Sequence, residues 1–353
     1  MKHIAIFQSD LRVGGIQKAL INILREIDYG SCQTDLYLYD EGSFFDMPSH
    51  ENLKVIRLNP RLASPKRFVY FDILFALSGD ITHGKEYDVA VDFNSYQNEC
   101  AVGALKSHAR KKIMWIHNDM EIKLRNEPKY RVLWHFFKGK LRRYDAFAAV
   151  SPGIIDGFRR ASGIQDKPIV PIPNHIDTAE IFRKKNLPVD FHPDPDKLNL
   201  CSVGRICHQK GYDLLMGYLA DVKRRRQDFH FYLIGDGPDR AALERQIISL
   251  GLSDFVTLLG NQKNPFNYMD KTDGFVLTSR YEGQGMVIRE AQALGLPLYI
   301  SKNLEPYNPG IAGCEDIAEA LSAAEKPSKK RYDDLADYNA AISRDLRKLL
   351  DLA

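Results

Sequence analysis

The chain has 353 residues, 44% of them apolar and 27% charged, with a formal net charge of +3. That is enough for about two domains, each able to bury a core. No apolar run approaches the roughly 18 residues needed to span a bilayer, and the five cysteines (32, 100, 201, 207 and 314) are odd in number, scattered and without a Cys-x-x-Cys pair, which argues against a disulfide framework or a structural zinc site and points to a reducing compartment.

The N-terminus moves from one lysine into a strand-like run and lacks an apolar segment of signal-peptide length. The expected location is therefore cytoplasmic, either free or peripheral on the inner face of a membrane. HIAIFQ (3–8) reads as a buried strand, followed by the loop SDLRVGG and an amphipathic helix carrying Ile16, Ala19, Leu20, Ile23, Leu24 and Ile27. Further strands are expected at 35–39, 54–58, 88–93, 112–117, 146–150 and 168–172, with helices over 98–108, 129–143 and 152–162 between them. This alternation predicts an α/β domain, residues 1–172, built on a parallel sheet covered on both faces. Residues 173–197 are polar and rich in turn residues, and read as a linker. The alternation restarts at 198, with strands over 198–204, 229–235, 255–260, 274–279 and 297–301 and helices over 210–226, 238–251 and 285–295. Residues 198–330 form a second domain of the same kind. Two doubly wound, Rossmann-like parallel-sheet domains facing a cleft are expected, with ligands beyond the carboxyl ends of the strands. Residues 331–353 form a terminal helix with one apolar stripe (Leu335, Tyr338, Ile342, Leu346, Leu349), free to cross back to the first domain.

Charge is uneven. Residues 1–187 carry a net +6 and residues 188–353 a net −3, and the excess sits in 100–143, with 12 basic and 3 acidic side chains. The helix YRVLWHFFKGKLRR (130–143) combines Val132, Leu133, Phe136, Phe137 and Leu141 with five basic residues. Such a segment rests on an anionic membrane surface or packs on the sheet with a solvated basic edge. Both readings stay open at this point, and no nucleic-acid partner is expected.

The strongest chemical signal is YEGQGMVIREA (281–291). Glu282 precedes a helix and Glu290 lies in its second turn, so both acids, leaning toward the helix start, reach the end of the sheet. Gly283 and Gly285 allow close backbone approach, and the helix start offers N–H groups to an anion. Carboxylates there can accept hydrogen bonds from sugar and ribose hydroxyls. In VGRICHQKG (203–211), Arg205 and Lys210 flank a strand-to-helix loop and can neutralise a diphosphate. Gly14 and Gly15 open the first helix after Val13. His117 ends the strand KIMWIH, where it could contact a sugar hydroxyl. Asp194-Pro-Asp196 sits among turn residues and reads as a turn rather than a metal pair; no zinc, P-loop, dinucleotide or G-x-S-x-G motif occurs.

Taken together these residues resemble the retaining nucleotide-sugar glycosyltransferases of family 4, which have the GT-B fold. Glu282 through Glu290 is similar to the family's E-x7-E motif, ALGLP to its continuation, GRICHQKG to its G-R-x(4)-K-G element, and PNHID to the linker P-N-G-V-D, with His175 in place of glycine. LIGDGPDRAALE, FVTLLG and VSPGI also resemble family segments. The resemblance implies that Arg205 and Lys210 hold the donor diphosphate and that Glu290 binds ribose. Glu282, beside Gly283 and with the backbone of Gln284, Gly285, Met286 and Val287, would hold the donor sugar. Gly15, after Gly14, would approach phosphate and His117 would touch the sugar. It implies a UDP-, GDP- or ADP-type donor, no metal, no other cofactor, and a glycan, lipopolysaccharide or lipid-linked acceptor. The stretch after YISKN is shorter than in the family. Two other readings are weighed, a sugar-nucleotide epimerase on a similar fold and a non-catalytic sugar-nucleotide-binding scaffold; the paired glutamates with Arg205 and Lys210 favour the transferase.

Overall fold

The structure, a computed structural model, describes residues 1–12, 14–40, 42–58, 70–94, 97–327 and 331–352; Val13 of the first glycine loop lies outside them. Contacts divide the chain into two units, Met1–His175 with Asp337–Ala353, and Ile176–Ala336.

The first unit contains seven parallel strands: β1 (Lys2–Gln8), β2 (Cys32–Leu38), β3 (Leu53–Arg57), β4 (Glu86–Asp92), β5 (His108–Ile116), β6 (Ala146–Ala149) and β7 (Ile169–Pro171). Their spatial order is β3-β2-β1-β4-β5-β6-β7. Helices α1 (Gly15–Glu26), α2 (Phe71–Leu77), α3 (Asn98–Lys106), α4 (Met120–Asn126), α5 (Pro128–Phe137) and α6 (Ile155–Ser162) connect them. Central strands read as unbroken apolar runs because helices cover both faces of a parallel sheet; Ile4, Ala5, Ile6 and Phe7 of β1 are all buried. α1 buries Ala19, Leu20, Ile23 and Leu24, the stripe its periodicity marks.

The second unit has α7 (Thr178–Lys185), then β8 (Leu198–Val203), α8 (Tyr212–Arg225), β9 (Phe229–Ile234), α9 (Arg240–Ser249), β10 (Val256–Gly260), α10 (Phe266–Met269), β11 (Gly274–Leu277), α11 (Met286–Ala293), β12 (Leu298–Ile300) and α12 (Ile317–Ser322). Its five strands are parallel, in the order β10-β9-β8-β11-β12. Leu200, Phe231, Leu233 and Val276 from the sheet pack with Leu215 and Leu219 from α8 in its core. The terminal helix α13 (Ala336–Leu349) belongs to the first unit. There Lys111 donates to the Leu349 carbonyl at 2.8 Å and Ser343 to Glu26 at 3.0 Å.

Two segments differ from their sequence reading. The stretch 173–197, expected as a linker, contains α7; Asp177 caps it by accepting the Glu180 N–H at 2.8 Å, and Ile181 alone is buried, too little apolar periodicity to mark a helix. Residues 129–143, expected as one helix, form α5 and then a tight 3-10 segment, Lys138–Arg143. That tightening accompanies the burial of Lys140 and Leu141. Lys140 and Asp92, at the end of β4, are both buried, with Nζ 3.8 Å from Oδ2. Tyr144 donates to the same oxygen at 2.7 Å and the Asn94 N–H to Oδ1 at 3.1 Å. Burial pushes the Asp92 carboxyl up and the Lys140 ammonium down, and each opposes the other's shift.

A buried charge without its partner is costly, about 3–5 kcal/mol. Lys140→Met should therefore lower stability by about 3 kcal/mol in urea unfolding at pH 7. The deficit against wild type at the same pH should narrow in acid, because the abandoned Asp92 can then take a proton; a deficit that is flat with pH would show that Asp92 is not the group left behind.

Candidate functional site

β8 and β11 are neighbours in the second sheet, yet the chain leaves them toward opposite edges, through β9 and β12 respectively. That is the switch point at which an open parallel sheet leaves a crevice beyond its carboxyl ends. The loops on either side of it are residues 204–211 after β8 and 278–285 after β11.

Backbone and side chains bind these loops to one another. Gly211 has φ +64°, and a Cβ there would lie 2.2 Å from the Thr278 carbonyl oxygen; only glycine tolerates both. Thr278 Oγ1 donates to the Gly211 carbonyl at 3.0 Å. The Arg280 guanidinium holds both Asp213 oxygens, at 2.7 and 2.5 Å, and also donates to the His208 carbonyl at 2.8 Å. This fork keeps the Asp213 carboxyl below the usual carboxylate range. The Arg280 N–H donates to the Gln209 carbonyl at 2.8 Å and the Gln209 side chain to the Tyr281 carbonyl at 3.1 Å. Behind the first loop, the turn after β9 presses close: a Cβ at Gly235 would meet the Gly204 carbonyl at 2.0 Å, and one at Gly237 the Ile206 carbonyl at 2.1 Å.

The outcome is a close ion pair. Lys210 Nζ lies 2.6 Å from Glu282 Oε1, with side-chain exposures of 19% and 7%. Arg205, just beyond the end of β8, is exposed and makes no hydrogen bond or ion pair among the described residues. The chain from Glu282 runs through Gly283 and the buried Gln284 to Gly285, which caps α11, where a Cβ would press on Ile288 at 2.7 Å. Met286 and Val287 open the helix and Glu290 is buried inside it. The structure therefore joins Lys210 to Glu282, puts Arg205 on the Lys210 loop, and puts Glu290 on the helix that Glu282 introduces. Arg280 and Asp213, which bind the loops together, carry no motif signal of their own, and the sequence reading does not single them out.

The remaining candidates lie in the first unit, at the switch point between β1 and β4. Gly14 is extended, and open space lies where a side chain at Gly15 would project. Asn94 donates to Ser9 Oγ at 2.7 Å. His117, just beyond β5, is buried against Phe93, and its Nε2–H donates to the Phe93 carbonyl at 2.7 Å. Desolvation lowers its pKa to about 4. At neutral pH it is an uncharged ring whose Nδ1 is an acceptor, suited to a hydroxyl and unsuited to neutralising phosphate. Asp194 accepts the Asp196 N–H at 2.9 Å, a local turn. No group of three or more His, Cys, Asp or Glu among the described residues is arranged to hold a metal ion.

Two family models match the chain: "Glycosyltransferase Family 4" over residues 13–180 and "Glycosyl transferases group 1" over 183–309. Among curated proteins, alpha-D-kanosaminyltransferase of Streptomyces kanamyceticus is 39% identical over 31% of this chain and 30% of its own length. Two lipopolysaccharide core biosynthesis enzymes of Rhizobium meliloti also match. The glycosyltransferase LpsD is 31% identical over 32% of this chain and 32% of its own length. The mannosyltransferase LpsB is 28% identical over 52% and 53%. The chain thus spans 30% to 53% of the length of these curated relatives. Among solved structures, Anabaena HepE in complex with UDP and glucose has a TM-score of 0.66 at 18% identity, over 99% of this chain and 95% of that one. WaaG, a glycosyltransferase involved in lipopolysaccharide biosynthesis, has a TM-score of 0.64 at 16% identity, over 99% and 95%. At these identities the structural likeness establishes the fold.

Two outcomes follow from the geometry. Gly211→Ala should cost several kcal/mol, roughly the scale of a severe backbone clash, and thermal unfolding should register it, whereas Gly217→Ala, with open space around it, should be neutral or better. For His117, the depressed pKa means that the unfolded chain binds the extra proton first. The neutral ring's contribution is complete above about pH 6.5 and is lost as pH falls toward about 4, at up to about 1.4 kcal/mol per pH unit. His117→Asn should flatten that part of the stability–pH curve.

Proposed function

Since the chain belongs, by its fold and by both family matches, to the GT-B glycosyltransferases, we propose that it moves a sugar from a nucleoside-diphosphate donor to a glycan or lipid-linked acceptor. The observation that carries the reading is the Lys210–Glu282 pair, held at the switch point of the second sheet with Arg205 on the same loop. Lys210 has three donors and Glu282 engages one, which leaves donors for a phosphate. Arg205 presents a planar fork to the diphosphate, and Glu290 takes ribose hydroxyls. Glu282, next to Gly283 and the Gln284–Val287 backbone, holds the sugar.

In this reading the two cations stabilise the departing diphosphate. The acceptor attacks the face the diphosphate leaves, retaining configuration, and a phosphate oxygen of the leaving group takes the acceptor proton. Catalysis is then positioning and charge stabilisation, without a metal or a protein nucleophile. His117 and the Gly14–Gly15 loop contribute uncharged contacts to sugar or phosphate. The UDP bound by HepE supports a nucleoside diphosphate as ligand, and the lipopolysaccharide roles of LpsB and WaaG support a cell-surface glycan as product. Five free cysteines support a cytoplasmic setting. The epimerase alternative is not favoured, the named relatives being transferases.

A thermal-shift panel of UDP-, GDP- and ADP-sugars tests this. A donor at 100 times its Kd stabilises by about 2.7 kcal/mol. Arg205→Ala is the clean variant because its side chain is exposed and makes no bond to other described residues; losing a charged hydrogen bond worth about 1.5–3 kcal/mol should weaken donor binding between tenfold and a hundredfold. A panel that shifts nothing, or a shift identical in the variant, rejects the reading.

A further inference from the structure

The first unit carries a surface that its core does not explain. α2 turns Phe71 and Leu74 inward and leaves Ile73 and Leu77, one turn apart, 53% and 83% exposed. Tyr70, just ahead of the helix, is 52% exposed and packs its ring on Phe136 of α5 at 4.6 Å between centroids. Val132, one turn before Phe136, is 57% exposed. An apolar row thus runs Val132–Phe136–Tyr70–Ile73–Leu77 across two helices. Single exposed apolar side chains are ordinary; a contiguous row is the mark of a contact surface.

Cations border the row. Residues 128–143 carry six Lys and Arg and no acid. Lys140 is the one turned inward, to Asp92, while Lys129, Arg131, Lys138, Arg142 and Arg143 are exposed. The single acid of α2, Asp72, is neutralised by Arg143 at 3.0 Å. Arg143 and Lys106 also lie over the Phe75 ring, at 4.5 and 4.3 Å from its centroid. The amphipathic reading of 130–143 is thereby sharpened: Leu133, Phe137 and Leu141 face the core, and the outward apolar character comes from Val132 and Phe136 joined to α2.

We infer that this surface docks the protein on a leaflet of anionic phospholipid, with Ile73 and Leu77 entering the headgroup–acyl boundary and the five exposed cations of 128–143 lying among the headgroups. Charge decides the occupant. A second copy would set one cationic rim against another, whereas anionic headgroups neutralise the rim and the acyl boundary accepts the apolar row. No helix among the described residues is long and apolar enough to cross a membrane, so attachment of this kind is peripheral.

Co-sedimentation of the full chain with vesicles tests the inference and uses no nucleotide sugar, so its failure leaves the donor-site reading standing. The chain should pellet with phosphatidylcholine vesicles containing phosphatidylglycerol, should not pellet with phosphatidylcholine alone, and should be released by added salt. Leu77→Ser should weaken binding about tenfold and Arg142→Ala about fivefold, with unchanged thermal unfolding in both. Equal binding to the two vesicle types, no binding to the anionic ones, or wild-type binding by both variants overturns the inference. So does a lipid-free, concentration-dependent dimer abolished by Leu77→Ser, which would assign the row to a second copy.

Discussion

The donor half depends on the register between two loops that are far apart in sequence, one after β8 and one after β11. That register is enforced by contacts with little slack. A glycine in a left-handed conformation sits against a strand-end carbonyl at Thr278, and the two-pronged Arg280–Asp213 pair fixes the loop that follows. Without them Lys210 and Glu282 would be two charged side chains on separate loops, each better solvated by water than by the other. With them the two meet at 2.6 Å with most of both side chains out of solvent. The ion pair is a product of the backbone arrangement and contributes to stability only in so far as the arrangement already exists, because desolvating two charges offsets most of their attraction.

This ordering bears on how the site can use its charge. A lysine already engaged by a carboxylate is held in place before any phosphate arrives, so little side-chain entropy is left to lose on binding. The same engagement reduces its value as a cation. The exposed Arg205, unengaged by other described residues, then supplies charge that is not already committed. Arg205 thus sets how strongly a diphosphate is attracted, and Lys210 with Glu282 sets where it sits.

Much of this was legible in the sequence, for identifiable reasons. The strands are apolar runs buried on both faces, and glycine-, proline- or asparagine-rich turns separate them, so all twelve expected runs correspond to strands among the described residues. Where a helix buries a single apolar residue, as α7 does with Ile181, periodicity has nothing to register. Lys140 shows the sharper limit. In sequence it is one of a run of basic residues and reads as surface; only its pairing with Asp92, 48 positions away, makes burial tolerable, and single-sequence patterns do not carry such pairings. Arg280 and Asp213 escape for the same reason, each being an unremarkable charge until the fold joins them. Glu282, Lys210 and Arg205 were legible because glycines and strand ends frame them.

The two sheets share one topology at their switch points but equip them differently. Beyond β8 and β11 stand formal charges: Arg205, Lys210 and Glu282, with Glu290 in the adjoining helix. Beyond β1, β4 and β5 stand neutral groups: the Gly14–Gly15 backbone, Asn94 bonded to Ser9, and His117, which burial keeps uncharged. The first unit does own a strong charge pair at the end of β4, yet Asp92 and Lys140 are sealed inside and balance one another, so they add no net field at the sheet edge. An anionic group is therefore recognised at the second unit's edge and a hydroxyl-rich, uncharged one at the first's. A donor made of a diphosphate joined to a sugar contains both kinds of group, which is why a division of chemistry between two like-built sheets favours a nucleoside-diphosphate sugar over a ligand that is charged or neutral throughout.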